Sequence, residues 1–227
     1  MKIDTAIPKK HLVIASERDD YVLQICRNKR VLHIGATDCP YTKEKYKNEQ
    51  LLYVKLSDIA SEQIGIDSDR ESSEFLNSKQ IKNSKIIVAD MNATQQLGFN
   101  PEVIIFGETL EHLMNLETSL SNLKKMMNSN TIMLISVPNA FSFQNFIYAI
   151  RRRELQHPDH SVAFTYKTLT QLLSKNKFEI TDFKFTFLDN TNAHNLNWKG
   201  KISHFVIKFM TKISPIFAPG LIVIVKK

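Results

Sequence analysis

Short apolar runs rich in β-branched residues alternate along the chain with longer segments in which apolar residues recur at helical spacing. This alternation is typical of parallel strands joined by crossover helices. Seven runs predict strands, at residues 31–34, 64–66, 84–89, 103–106, 131–137, 178–188 and 221–225. Helices are predicted at residues 16–28, 51–60, 110–128, 141–150, 166–174 and 202–213, and residues 36–50 predict a loop. The pattern therefore predicts an α/β fold.

Length and composition indicate a single globular domain over residues 1–227. The chain has 227 residues, of which 43% are hydrophobic and 23% charged, and this balance argues against disorder and against a coiled coil. The regular alternation loosens after residue 139, so we interpret residues 140–217 as insertions in the domain. The amphipathic segment 202–213 within them is expected to pack on the sheet edge, with a partner surface as the alternative.

Cysteine content and hydropathy predict a cytoplasmic protein. Cys26 and Cys39 are too few for a disulfide framework or a structural zinc site and suit a reducing compartment. No apolar run approaches the roughly 20 residues that cross a bilayer. Thirty basic and 23 acidic residues give a net charge of +7, which suits either an anionic partner or a solvated lysine-rich surface. The scatter of the basic residues favours the surface.

Several predicted strands end in a glycine or an aspartate, namely Gly35, Asp67, Asp90 and Gly107. The carboxyl ends of parallel strands meet at one edge of a sheet, where ligands bind. A glycine there lets the backbone approach a ligand closely, and a carboxylate such as Asp67 accepts both hydroxyls of a ribose. We therefore predict a binding crevice at this edge, and the alternative for Asp67 is an ordinary turn or helix-cap aspartate.

Six segments resemble, in order, the motifs of the class I S-adenosylmethionine (SAM)-dependent methyltransferases. They are residues 31–36 (VLHIGA), 64–67 (IGID), 90–91 (DM), 107–113 (GETLEHL), 136–139 (SVPN) and 221–225 (LIVIV). The resemblance implies a Rossmann-like, doubly wound sheet of seven strands with helices on both faces and the last strand antiparallel. It also implies that SAM is the cofactor and that residues 140–217 lie on the side of the methyl acceptor.

The same resemblance assigns residues to the cofactor. Gly35 is placed beside the methionine part, Asp67 on the ribose, and Asp90 with Met91 at the adenine. The full set is Gly35, Ala36, Thr37, Asp67, Asp90, Met91 and Gly107.

The chain departs from the family pattern at three positions. His33 stands where an acid is usual, and Thr37 and Cys39 stand where further glycines are usual. Oxygens of Thr37 and Asp38 are an alternative means of binding the cofactor's ammonium group. A non-catalytic binding module with the same fold is therefore kept as an alternative.

A second group of residues offers acid–base or metal chemistry. Glu108 and Glu111 are three residues apart at a predicted helix start, which places both carboxylates on one side with His112 adjacent. His160 follows in a later loop. This order resembles metal-dependent small-RNA 2'-O-methyltransferases, and that resemblance implies that Glu108, Glu111, His112 and His160 hold magnesium or manganese.

The favoured interpretation needs no metal. His112 or His160 then acts as a general base or orients an acceptor hydroxyl, and Glu111 orients the histidine. The remaining alternative is that Glu111 and His112 only cap a helix. The leading hypothesis is methyl transfer to an oxygen, less favourably a nitrogen, of a small molecule or glycan. Nucleic acid is less favoured because no zinc knuckle or RNP-type aromatic strand occurs.

Overall fold

The computed structural model describes residues 6–91, 97–187 and 197–227, and its strands form one mixed sheet. The order in the sheet is β1-β7-β8-β6-β5-β2-β3-β4. The strands are β1 (Ile14–Glu17), β2 (Arg30–Ile34), β3 (Glu62–Asp67), β4 (Ser84–Val88), β5 (Val103–Gly107), β6 (Ile132–Pro138), β7 (Glu179–Phe187) and β8 (Gly220–Lys226).

Helices connect the strands, and most lie in segments that the apolar spacing predicts, but the two at residues 42–47 and 70–78 were not predicted. They are α1 (Arg18–Cys26), α2 (Thr42–Lys47), α3 (Leu52–Ser57), α4 (Arg70–Ser78), α5 (Leu116–Met126), α6 (Phe143–Ile150), α7 (Tyr166–Lys175) and α8 (Trp198–Ile213). None of the helices in the described ranges is both long and apolar enough to cross a bilayer.

Two separate cores lie on the two faces of the sheet. Successive residues of a strand point to opposite faces, so Val31 packs with α1 and α3 whereas Leu32 packs with α5 and α7. In β5, Ile104 likewise packs in the core with Leu32, and Ile105 packs in the core with Val31. Strands covered on both faces are apolar along their whole length, which explains the uninterrupted runs in the sequence. Helices on both faces are thus confirmed.

The direction of the last strand is confirmed as well. β8 is antiparallel to both of its neighbours, β6 and β7. β2 pairs in parallel with β3 on one side and with β5 on the other, so the strand order reverses at β2. Crossovers leave such a reversal point in opposite directions and open a crevice at the carboxyl ends of its strands.

The predicted count of seven strands was wrong, because the sheet has eight. The added strand is β1, which pairs in parallel with the edge strand β7, with Ile14 opposite Phe185. Its four residues, IASE, are too few to show a strand period in the sequence. Hydrogen bonding to an edge already formed by β7 decides the conformation instead.

Two helix predictions also need correction. Residues 36–50, predicted as a loop, contain α2, where Tyr46 packs edge-on against Phe75 of α4. The helix predicted to begin at residue 110 starts at Leu116, after a short 3-10 turn at Leu110–His112. Asn115 fixes the start of α5, because its side chain accepts a hydrogen bond from the Thr118 amide and caps the helix.

The core on the α7 side yields a test of stability. Phe183 is fully buried against Tyr166 and Phe185, so we expect Phe183→Ala to lower the free energy of unfolding by about 3–5 kcal/mol. Phe205 on α8 is 71% exposed, so we expect Phe205→Ala to change the free energy of unfolding by less than about 0.5 kcal/mol. Urea denaturation of both variants measures the difference. Equal losses would contradict this assignment of the core.

Candidate active site

A cavity of about 650 Å³ opens at the carboxyl ends of β2, β3, β4 and β5. This volume lies within the range of about 300–1,000 Å³ that small-molecule sites occupy. The cavity is lined by all of the residues predicted from the sequence for the cofactor, for catalysis and for a metal. They are Gly35, Ala36, Thr37, Asp67, Asp90, Met91, Gly107, Glu108, Glu111, His112 and His160.

The turn after β2 requires a glycine at position 35. Gly35 has a φ of 71°, a conformation that side chains disfavour. A Cβ there would also lie 2.6 Å from the Thr109 hydroxyl oxygen, which itself donates to the Gly107 carbonyl. The missing side chain thus lets the ends of β2 and β5 approach each other and exposes backbone to the cavity.

Asp67 ends β3 and fixes the neighbouring loop. One carboxylate oxygen accepts from the amide and the hydroxyl of Thr37, at 2.9 and 2.8 Å, and the other accepts from the Asp69 amide at 3.0 Å. Thr37, which replaces a family glycine, is therefore a loop anchor. Asp38 forms an ion pair with Lys45. The oxygens expected to bind an ammonium group thus have partners within the protein.

His33 lies on the cavity wall in a buried position, with its ring 6.2 Å from that of Tyr53. Burial lowers the pKa of His33 to about 4, so the ring is neutral at pH 7. Its Nδ1 atom has no hydrogen-bond partner among the residues that the structure describes. A buried nitrogen of this kind is suited to a ligand or a water molecule.

Helix α1 contributes a buried acid, Asp19, to the cavity wall near His33. Asp19 of α1 is 4% exposed and pairs with Arg18 and Lys55, at 3.0 Å each. Both Arg18 and Asp19 line the cavity, and Asp19 acts on the pKa of His33. A carboxylate is thus present near His33 although the strand itself carries none. Sequence reasoning missed both residues because α1 shows only ordinary helical spacing.

Glu108 directly follows β5 and is not part of a helix. Its φ is 48°, a strained conformation for a residue with a side chain, and its amide donates to the Ser136 carbonyl at 2.9 Å. Arg18 lies 3.8 Å from its carboxylate. Burial raises the pKa of Glu108, and the positive charge of Arg18 opposes that rise.

Glu111, in the 3-10 turn, is the least accommodated carboxylate of the cavity. It is 1% exposed, and neither side-chain oxygen has a hydrogen-bond partner within the described parts of the chain. Burial, followed by the charge of Glu108, raises the pKa of Glu111 to about 8. Such a group needs a proton, an ion or a ligand beside it.

The loop after α6 brings histidines to Glu111. The amides of Ser161 and Val162 donate to the Glu111 backbone carbonyl at 2.8 and 3.2 Å. This contact places His160 Nε2 3.9 Å from a Glu111 carboxylate oxygen, and the His112 and His160 rings are 4.6 Å apart. Burial and the adjacent histidines lower the pKa of His160, which leaves it neutral at pH 7.

These side chains also fit a metal ion. Glu111, His112 and His160 each offer a ligand atom, and the three atoms lie within 4.8 Å of one another. A buried carboxylate without a hydrogen-bond partner is the observation that favours an ion here. Because imidazole nitrogen binds manganese more readily than magnesium, this set of donors suits manganese better.

The comparisons with known proteins decide the family. The model of a methyltransferase domain family matches residues 12–182, about three quarters of the chain. The chain belongs to this methyltransferase family. It is a SAM-dependent methyltransferase, and the Rossmann-like α/β fold class, the enzyme class and the cofactor predicted by resemblance are confirmed, whereas the strand count is not. Family membership favours the enzyme over the non-catalytic binding module.

Solved structures with the same fold include other methyltransferases. A SAM-dependent methyltransferase from Aquifex aeolicus is 13% identical, with a TM-score of 0.58, over 96% of this chain and 93% of that one. The N-methyltransferase NodS from Bradyrhizobium japonicum, solved with S-adenosyl-L-homocysteine, is 13% identical, with a TM-score of 0.57, over 92% and 84%. Magnesium protoporphyrin IX methyltransferase from Synechocystis is 12% identical, with a TM-score of 0.58, over 91% and 80%. No curated protein matches the chain.

The raised pKa of Glu111 predicts a dependence of stability on pH. The folded protein holds this proton up to about pH 8, whereas the unfolded chain releases it near pH 4.5. Ionisation therefore favours the unfolded state, and stability falls as the pH rises between these values. With a chelator present, we expect Glu111→Gln to be more stable than the wild type at pH 8, by about 1.4 kcal/mol for each unit of pKa shift.

The gain should shrink as the pH falls toward 4.5, and chemical denaturation at a series of pH values measures it. Glu117→Gln is the control, because Glu117 is exposed in the first turn of α5. Parallel stability curves for wild type and Glu111→Gln would contradict the raised pKa.

Proposed function

We propose that this methyltransferase acts on a hydroxyl oxygen of a small molecule or glycan, with a nitrogen acceptor as the less favoured variant. The observation that carries the proposal is the buried Glu111 carboxylate facing the neutral His160 in the cavity. An alcohol must lose a proton as it is methylated, so a nearby base helps it strongly. A neutral amine already presents a lone pair and needs such a group less.

The cofactor residues keep the roles that the resemblance assigns to them. SAM supplies an electrophilic methyl group when bound, and the protein contributes mainly alignment. We propose that Asp67 holds the ribose, Asp90 and Met91 contact the adenine, and Gly35 admits the methionine part. Ala36, Thr37 and Gly107 complete the wall. Two observations support a ligand in this part of the cavity. Gly35 has no side chain to fill the space beside Thr109, and the Nδ1 atom of His33 has no hydrogen-bond partner among the described residues.

We propose that His160 accepts the proton that the acceptor hydroxyl loses. His160 is neutral at pH 7 because its pKa is lowered, so its Nε2 can accept the hydroxyl proton. Glu111 lies 3.9 Å from that nitrogen and, because it holds its own proton at pH 7, acts by orienting the imidazole ring. His112, with its ring 4.6 Å from that of His160, orients the acceptor. His160 is thus the proposed base, Glu111 its orienting partner and His112 a positioning residue.

A second cavity supports a polar acceptor. It measures about 170 Å³ and shares Glu111, His157 and His160 with the larger cavity. Amide side chains dominate its remaining polar lining, and they match the hydroxyls of a sugar better than an apolar ring. These side chains are Asn139, Gln144, Asn145 and Gln156. The amide nitrogens of Asn139 and Asn145 donate to backbone carbonyls. The match to a sugar therefore rests on Gln144 and Gln156. Most of this lining belongs to residues 140–217, which we propose to be the acceptor side.

A metal-dependent RNA 2'-O-methyltransferase is the second candidate. The convergence of Glu111, His112 and His160 within 4.8 Å favours it. Glu108, the fourth ligand that the resemblance implies, lines the same cavity but lies outside that group. In that case an ion at these residues would bind the acceptor hydroxyl and lower its pKa. The net charge of +7 suits a nucleic-acid acceptor.

Removing the proposed ribose ligand tests the cofactor site. We expect Asp67→Ala to weaken SAM binding by about 1–3 kcal/mol in isothermal titration calorimetry, because hydrogen bonds to a charged group are lost. Asp58→Ala is the control at an exposed aspartate. Thr37→Val removes the hydroxyl hydrogen bond of the loop anchor but keeps the carboxylate, so it separates the loss of that bond from the loss of Asp67. Unchanged affinity in Asp67→Ala would remove Asp67 from the site.

Removing the proposed base tests the chemistry. We expect His160→Gln to lower kcat by about 10²–10⁴-fold, with SAM affinity unchanged, because general-base catalysis contributes this much. The measurement is transfer of labelled methyl from SAM to hydroxyl compounds of a cell extract. It is repeated after chelation and after manganese is added back.

Activity that survives chelation but not His160→Gln supports the base. Activity that requires manganese and disappears in Glu108→Gln supports the second candidate. Full activity in both variants would overturn both assignments.

A further inference from the structure

Helix α8 presents a row of large apolar side chains to solvent. They are Trp198 (68% exposed), Ile202 (54%), Phe205 (71%), Phe209 (55%) and Ile213 (62%). Successive members are four, three, four and four residues apart, which places all of them along one face of the helix. The opposite face carries Met210 and Thr211, which are more enclosed by the protein. The exposed row is thus the outer face of a helix that already has a packed inner face.

Helix α6, which contacts α8, extends the row. Phe146 (53% exposed) and Ile150 (64% exposed) also point to solvent. We call these seven side chains the α6/α8 surface. Soluble proteins rarely leave so many large apolar groups together in water unless the patch binds something.

Basic residues border the α6/α8 surface, and its two chain segments contain no acid. Helix α8 contains four lysines and no aspartate or glutamate, and residues 140–153 end in three arginines and also lack an acid. Lys201 and Lys212 are exposed on α8, and the three arginines that directly follow α6 are exposed as well. Lys208 pairs with Glu17 at 3.8 Å, so that lysine is partly neutralised. The border therefore carries net positive charge.

We propose that the α6/α8 surface docks on an anionic lipid bilayer. A helix with an apolar face and a lysine-bearing polar side lies in the membrane interface, where its apolar side chains enter the acyl boundary and its cations meet lipid headgroups. Tryptophan and phenylalanine are well suited to that depth. The apolar row would then contact acyl chains, and the basic border would contact anionic headgroups.

The charge distribution disfavours the other occupants. In a symmetric dimer through this face, the lysines and arginines of one copy would meet those of the other. A nucleic acid would pair with the basic border but would leave the aliphatic side chains of the row in water. A bilayer satisfies both features.

Docking would also orient the enzyme. Gln144 and Asn145 of α6 line the smaller cavity, whereas Phe146 and Ile150 of the same helix belong to the docking surface. The acceptor side would therefore lie close to the membrane, a consequence that rests on the proposed function. Binding to the membrane itself needs no acceptor and is measured separately.

Trp198 makes the test direct, because it is the single tryptophan of the chain. The protein is mixed with two kinds of vesicle, one of phosphatidylcholine alone and one of phosphatidylcholine with about 30% phosphatidylglycerol. The second kind has an anionic surface that attracts basic segments. We expect a blue shift of the tryptophan emission and co-sedimentation with the anionic vesicles, both weakened by salt. Failure to bind, or equal binding to neutral vesicles, would overturn the proposal.

Paired variants locate the surface. The double variant Phe205→Ser with Phe209→Ser is expected to lower vesicle affinity at least about tenfold, because two apolar side chains no longer enter the interface. Lys201→Glu with Lys212→Glu should do the same. Lys82→Glu with Lys85→Glu changes the net charge equally beside β4, at the other edge of the sheet, and should have little effect.

Unchanged SAM affinity in each variant shows that the fold is intact. Loss of binding in all variants, or in the β4 pair alone, would overturn the assignment. So would a dimer in light scattering that Phe205→Ser with Phe209→Ser converts to monomer, because the surface would then bind a second copy. Inactivity toward every hydroxyl acceptor with vesicle binding intact would refute only the proposed function.

Discussion

The pairing of β2 with both β3 and β5 is the constraint on which the site depends. It aligns Gly35, Asp67 and Gly107 at one edge and opens the crevice there, because the strand order reverses at β2. The close approach of β2 and β5 is possible only without a side chain at Gly35, where Thr109 occupies the space. The proposed cofactor and acceptor sites both depend on this geometry.

Groups that are unfavourable for folding gather beside that edge. Glu108 has a strained backbone, Glu111 is buried without a hydrogen-bond partner in the described residues, and His33 is buried and neutral. Each lowers stability, and the two-sided core beneath them offsets the loss. Concentration of such groups in one cavity is typical of an active site. Their positions are consistent with the proposal that proton transfer and donor binding take place in one cavity.

Sequence patterns predicted the parts of the fold that depend on local periodicity. Strand ends such as Gly35 and Asp67 were found because a glycine or acid directly follows an apolar run. β1 and the roles of Arg18 and Asp19 were missed, because they depend on contacts with distant strands and on packing across the sheet. The function of Thr37 likewise depends on its hydrogen bonds to Asp67, which no residue spacing reveals.

The atom that receives the methyl group tests the central claim most directly. The protein is incubated with SAM labelled with ¹³C in its methyl group and with a pool of small molecules and glycans. Carbon–proton correlation spectra then identify the labelled product. We predict an O-methyl signal whose growth is lost in His160→Gln. An N-methyl signal alone, or an O-methyl signal that grows equally in that variant, would contradict the account.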